Sequence, residues 1–271
     1  MIRSGICSLT LSKLPVETVV DVVKRAGLAG IEWWGKDHVP HGDTVIAAKV
    51  KALTESAGLE VSSYGSYYKA GISESEGLRF SSVLETAVAL NAPTIRVWAS
   101  NCGFASVDSA FVTKVVDDSI RIGDLAAKSG RTITFEFHRG TLTDTGENAR
   151  QFAAMLDHPA IFFSWQPPLG VGTEDCLSGL EGLLPRLGTI HVYHWTVTTK
   201  GGFVRQPLAS GVNRWRKYFK LIGSSGQDHF ALLEFVKDDS PEQVIKDAKI
   251  LEDLIVSNNL KGASSMTGLY V

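Results

Sequence analysis

The amino-acid sequence predicts an α/β fold, a single (β/α)8 barrel over residues 1–271, on three observations. Strand-like and helix-like segments alternate eight times, with short polar joints and no linker or composition shift between them. The strand segments are near-continuous apolar runs, as in Ile133 to Glu136 or Ile161 to Trp165, the pattern of parallel strands covered on both faces. The joint after the first strand reads Leu9-Thr-Leu-Ser-Lys13 and lacks the glycine-rich turn of a doubly wound dinucleotide fold. A length of 271 residues with 44% hydrophobic content suits one barrel of this class, which commonly runs to about 250 residues.

The elements follow in order. Segment 2–9 opens as a strand, and 15–26 is its helix, with Pro15 in the first turn. Segment 30–34 is the second strand, and its helix 44–57 is capped by Asp43 and stopped by Gly58. Segment 59–64 pairs with a helix near 75–90. Segment 94–98 pairs with 109–128, where Val112, Val115, Val116, Ile120 and Ile122 mark an apolar face. Segment 131–136 precedes a helix at 147–156, with Asp144 and Glu147 at capping-box spacing. Segment 161–165 leads to a weak helix near 174–184, and 189–193 to a long loop and a helix at 212–221. Segment 230–235 leads to the clearest helix, capped by Ser240, begun by Pro241 and running to about residue 256.

Charge and composition exclude several classes. A net charge of −2 without a basic block argues against a nucleic-acid partner. No apolar run reaches the roughly 18 residues of a membrane span, and the N-terminus is too strand-like for a signal peptide. Cys7, Cys102 and Cys176 are widely spaced and read as free thiols, so a cytoplasmic location is expected. A homo-oligomer is compatible with these features.

The chemistry concentrates at the ends of the late strands. Glu136, Gln166, His191 and Glu234 each close an apolar strand, and a barrel of this kind places its active site at the C-terminal ends of its strands. Two carboxylates, an amide oxygen and an imidazole suit one divalent ion, with Mn, Mg, Co and Zn all compatible. Glu136 and Glu234 are also the candidate acid/base pair. His138 shares the face of Glu136, and His194 lies three residues beyond His191, so both are candidate substrate contacts. Earlier strand ends add Glu32, Trp33, Trp34, Asp37, His38, His41, Tyr64, Tyr67, Arg96 and Trp98. Of these Trp34, His38, Tyr64, Arg96 and Trp98 are the expected substrate contacts, because aromatic rings with acids and histidines suit a sugar. Arg205, in the loop after the seventh strand with Lys200, Gly201 and Gly202, is a further contact for a phosphate or sugar hydroxyls. Asp238 and Asp239 after the last strand repel a phosphate, which favours a neutral sugar.

Gly30-Ile-Glu-Trp33, His38-Val-Pro-His-Gly-Asp43, Arg96-Val-Trp98, Phe135-Glu-Phe-His138, Ile190-His191 and Leu233-Glu-Phe235 together resemble the xylose-isomerase-like TIM-barrel superfamily, often described as sugar phosphate isomerase/epimerase proteins. The resemblance covers all but the terminal segments. It implies one divalent ion held by Glu136, His191 and Glu234, and an enediolate mechanism on a keto or hydroxy sugar. Two positions depart from the family pattern: Gln166 stands where a strand-six aspartate is typical, and His194 ends a motif that often closes on aspartate. Isomerase or epimerase action is the expected function, with a dehydratase or lyase using the same residues as the alternative. A DNA-repair nuclease on this fold is opposed by the charge and the few strand-end histidines. The replaced aspartate keeps a non-catalytic sugar-binding barrel in view.

Overall fold

The computed structural model describes the backbone of residues 1–266 and the side chains of residues 1–258. Eight parallel strands close into a barrel: β1 (Ile2–Cys7), β2 (Gly30–Trp34), β3 (Glu60–Lys69), β4 (Thr94–Trp98), β5 (Thr132–Glu136), β6 (Ile161–Trp165), β7 (Leu187–Val192) and, after an added hairpin of β8 (His194–Val197) and β9 (Phe203–Gln206), β10 (His229–Leu233). The barrel order β1-β10-β7-β6-β5-β4-β3-β2 returns to β1, so no barrel strand is left with an unpaired edge. Eight helices accompany the strands: α1 (Val16–Arg25), α2 (Thr44–Ser56), α3 (Phe80–Leu90), α4 (Ser109–Lys128), α5 (Gly146–Ala154), α6 (Thr173–Glu181), α7 (Val212–Gly223) and α8 (Pro241–Met266). Among the described residues no helix is long and apolar enough to cross a membrane.

Period-two alternation sorts each strand between helix layer and barrel interior. Trp33 donates to Thr54 Oγ1 on α2 at 3.1 Å, Phe135 packs on Phe152 of α5, and Trp165 packs on Trp215 and Tyr218 of α7. Their neighbours Glu32 and Glu136 therefore point inward, where both meet Arg96.

Four expectations need correction. The third helix begins at Phe80 rather than near residue 75, because Gly77 takes a left-handed φ of 89° and Arg79 is extended. Thr145, not Asp144, caps α5 by accepting from the Asn148 amide, while Asp144 accepts from the Asn148 side chain. The last helix runs past residue 256, to Met266. The long loop after β7 contains the antiparallel β8–β9 hairpin, in register from His194 opposite Gln206 to Val197 opposite Phe203.

Two irregularities shape the barrel mouth. Strand β3 bulges against β4: Gly65 pairs with Arg96 and Tyr68 with Val97, leaving Ser66 and Tyr67 without partners. Ser66 closes the gap, its hydroxyl donating to the Arg96 carbonyl at 2.7 Å and accepting from the Tyr68 amide. The turn between β10 and α8 holds three non-glycine residues at positive φ: Phe235 at 49°, Asp238 at 60° and Asp239 at 50°.

Candidate active site and metal centre

Glu136 ends β5, Gln166 follows β6, His191 lies on β7 and Glu234 follows β10. All four side chains are buried, and ligand atoms of Glu136, His191 and Glu234 lie within 4.8 Å of one another. His191 Nδ1 is 3.2 Å from Glu234 Oε2 and 3.9 Å from Glu136 Oε1. Parallel strands of equal height bring these ends together by construction, which is why four distant sequence positions form one cluster.

The fit to a cation is tested by the polar atoms left over. Gln166 Oε1, His191 Nδ1 and Glu234 Oε2 are buried without hydrogen-bond partners. Such orphans cost free energy unless something occupies them. Gln166 Nε2 donates to the Phe137 carbonyl at 2.8 Å and to Glu136 Oε1 at 3.2 Å, both acceptors. The amide nitrogen is thereby fixed against Glu136, and the amide oxygen is left buried without a partner. Glu32 and Glu136 share the one Arg96 guanidinium, which leaves Glu234 and the neutral form of His191 as ligands for a divalent cation.

The two candidate acid/base groups sit in unlike surroundings. Glu136 accepts from Arg96 Nη1, Trp98 Nε1 and Gln166 Nε2. Burial, the largest single influence, would raise its pKa, but Arg96 together with His191, His138 and the Trp98 hydrogen bond holds it below the usual carboxylate range. Glu234 has no such set of donors: its Oε2 has His191 Nδ1 at 3.2 Å, outside hydrogen-bond geometry. His191 is pushed up to about 10: burial opposes its charge, and Glu234 and Glu32 overcome that opposition.

Glu32 is a site residue that sequence reasoning left without a role. Fully buried, it accepts from Ser63 Oγ at 2.6 Å and Arg96 Nε at 2.8 Å, and it lies 3.2 Å from Cys7 Sγ and 3.5 Å from His191 Nε2. It stands on the Nε2 side of His191, so Nδ1 is the nitrogen turned toward Glu136 and Glu234. Burial would raise the Glu32 pKa, but Arg96 and His191 pull it far below the ordinary range. Arg96 therefore spans two carboxylates. Gly65 makes room for it, since a Cβ there would lie 2.7 Å from Arg96 Nη2. The alternation that turns Trp33 outward is the signal that marks Glu32 as inward.

The expected substrate contacts divide. Trp98 is half-buried and stacks on His138, ring centroids 4.3 Å apart at 21°, beside the carboxylate cluster. Across the mouth, Arg205 on β9 lies 5.6 Å from the Trp195 ring and 5.1 Å from the Phe235 ring and is paired with Asp239. His194 is half-buried at the start of the hairpin, its ring against Gly211. Trp34 is half-buried, edge-on to His38. His38 and Tyr64 are corrections to the expected contacts. Both His38 nitrogens are engaged, with Ser8 Oγ at 2.9 Å and the Leu14 carbonyl at 3.0 Å. Tyr64 is fully buried outside the barrel, its hydroxyl donating to the Val39 carbonyl. A groove of about 450 Å³ bounded by Phe104, Val112 and Met155 is apolar and lies between α4 and α5; its one acid, Asp108, caps α4.

The family model for xylose isomerase-like TIM barrels matches residues 20–254. No functionally curated protein matches the sequence itself. Among solved structures the chain is similar to the probable 3-DHS dehydratase AsbF of Bacillus anthracis, at 19% identity and a TM-score of 0.76, covering 93% of this chain and 99% of that one. A xylose isomerase-like TIM barrel protein from Mycobacterium smegmatis in complex with magnesium matches at 15% identity and a TM-score of 0.72, covering 94% and 97%. The 3-keto-D-glucoside 4-epimerase YcjR of E. coli matches at 16% identity and a TM-score of 0.71, covering 94% and 99%. At these identities the likeness carries the fold.

Proposed function

This chain belongs to the xylose isomerase-like TIM barrel family, and on that premise we propose that it is a divalent-metal-dependent isomerase or epimerase of a keto-sugar or sugar derivative. The observation that carries the proposal is the convergence of Glu136, His191 and Glu234, with buried unpartnered atoms on the last two and Gln166 hydrogen-bonded to Glu136 beside them. These four residues would hold the ion. When bound, it supplies Lewis-acid polarisation of a substrate carbonyl.

The protein's own groups do the rest. Glu234, one oxygen of which would hold the ion, takes the proton on the other from the carbon beside the carbonyl, giving the enediolate of the sugar. Glu136 is the second carboxylate of the pair, and it returns a proton to the sugar only after taking one up from solvent against the pull of Arg96. The stacked Trp98 and His138 rings offer a face for sugar C–H bonds. A dehydratase or lyase, in which the same enediolate expels a β-hydroxyl, is the second reading. The inequality of the glutamates favours it, since one free base suffices for elimination whereas epimerisation needs two working faces. Structural neighbours of both kinds, an epimerase and a probable dehydratase, stand beside these readings.

The test combines metal analysis with solvent-deuterium uptake into a panel of free and 3-keto sugars, with Mn²⁺ or Mg²⁺. Near-stoichiometric metal and label at the carbon beside the carbonyl are expected. A reconstituted protein with neither is a binding barrel, not an enzyme. Replacing Gln166 by leucine removes an oriented oxygen and should weaken metal affinity by roughly 10–100-fold. Equal affinity by calorimetric titration would make Gln166 a wall residue.

A further inference from the structure

Tyr67 is the only non-glycine residue within the described barrel strands that adopts a left-handed backbone, with φ 56°. An aromatic side chain rarely takes this conformation, and such strain persists where the surroundings enforce it, commonly at functional sites. What enforces it is the two-residue bulge of β3, fastened by Ser66. Tyr64 and Tyr68 turn outward, to Val39 and to Asp118 of α4, and the bulge aims Tyr67 the other way. Its ring lies 4.7 Å from the Arg96 guanidinium carbon and edge-on to Trp98 at 5.5 Å. Arg96 and Trp98 are the two residues that donate to Glu136 Oε2.

Arg96 supplies a second, independent observation. Its Nε and Nη1 are spent on Glu32 and Glu136, while Nη2 is buried with no partner of hydrogen-bond geometry. The Tyr67 ring and a guanidinium N–H that neither carboxylate takes up therefore stand together beside Glu136.

We propose that Tyr67 is a catalytic residue whose hydroxyl, with Arg96 Nη2 beside it, donates a hydrogen bond to the substrate oxygen that gains negative charge when Glu234 removes the carbon-bound proton. The proton stays on the phenol, so the contact stabilises charge without transferring a group. Burial, the larger influence, opposes ionisation of this phenol, which keeps it a donor although Arg96 pulls the other way. Such a donor, aimed at charge that exists only in the transition state, acts on kcat rather than on KM. The inference rests on the metal-dependent reading above and adds a residue to it.

Tyr67→Phe keeps the ring over Arg96 and removes only the hydroxyl. On Mn²⁺-loaded protein, kcat for deuterium exchange should fall by roughly 10²–10³-fold, the range for one lost oxyanion donor, with KM and Mn²⁺ affinity nearly unchanged. The affinity of glycolohydroxamate, an anionic enediolate mimic, should fall in the same variant. A ring that merely braced Arg96 would leave both quantities as they are in the wild type, and that result overturns the proposal alone. A wild type that takes up no Mn²⁺ overturns the metal reading and this one with it.

Discussion

Replacing Glu234 by glutamine is expected to lower solvent-deuterium uptake into the substrate by roughly 10²–10⁴-fold, the range for a lost acid/base group. With Oε2 unpartnered and available to the ion, the other carboxylate oxygen is the one that takes the proton. Glutamine keeps the size and one oxygen ligand, so bound metal should be largely retained, which separates lost chemistry from a lost site. Unchanged exchange in Glu234→Gln would refute the assignment and move the base to His138. The two glutamates stop being equivalent once their neighbours are counted: three donors, one of them a guanidinium, hold Glu136 in its ionised form.

Arg96→Met should destabilise the metal-free protein by about 3–5 kcal/mol at pH 7, because it strands two buried carboxylates at once. For a protein of this size that is a fall of roughly 5–9 °C in melting temperature. The pH dependence should also change sign. In the wild type, Glu32 and Glu136 have depressed pKa values: burial would raise both, and Arg96, the largest of the lowering influences, overcomes it together with His191 and hydrogen-bond donors. Their contribution is present above the unfolded carboxylate value of about 4.3 and is lost as pH falls through the folded values. Without Arg96, burial dominates and raises both. The penalty is then felt above the unfolded value and relieved on acidification. Thermal melts from pH 7 to pH 5 should show the variant gaining on the wild type. A constant gap across that range would mean that Arg96 does not set the ionisation of the pair.

The barrel was legible in the sequence because parallel strands buried on both faces are continuous apolar runs, and their ends carry polar residues of obvious donor type. Glu136, Gln166, His191 and Glu234 were found that way, and the fold brings them together. The early strands were harder. Glu32 and Trp33 are adjacent, and composition does not tell which faces the interior; the Trp33 bond to Thr54 decides it. Tyr64 and Tyr67 are both tyrosines at a strand end, and only a bulge, which no run of side chains announces, makes one a wall residue and aims the other inward. His38 reads as a free imidazole in sequence because its partners, Ser8 and Leu14, are distant in the chain. The hairpin was missed because Lys200, Gly201 and Gly202 interrupt its alternation.

The turn that follows Glu234 carries a cost of its own. Phe235, Asp238 and Asp239 all hold left-handed backbones, a conformation worth roughly 1–2 kcal/mol each to relieve. Selection for thermal endurance alone would readily admit glycine at these three places, since glycine adopts that geometry without penalty. Their retention as side-chain-bearing residues describes a trade, in which Asp239 anchors Arg205 and Phe235 packs on Tyr193 and Trp195 at the expense of the chain's own resilience. Laboratory evolution toward heat tolerance would thus erode the rim of the barrel before it touched the ligands.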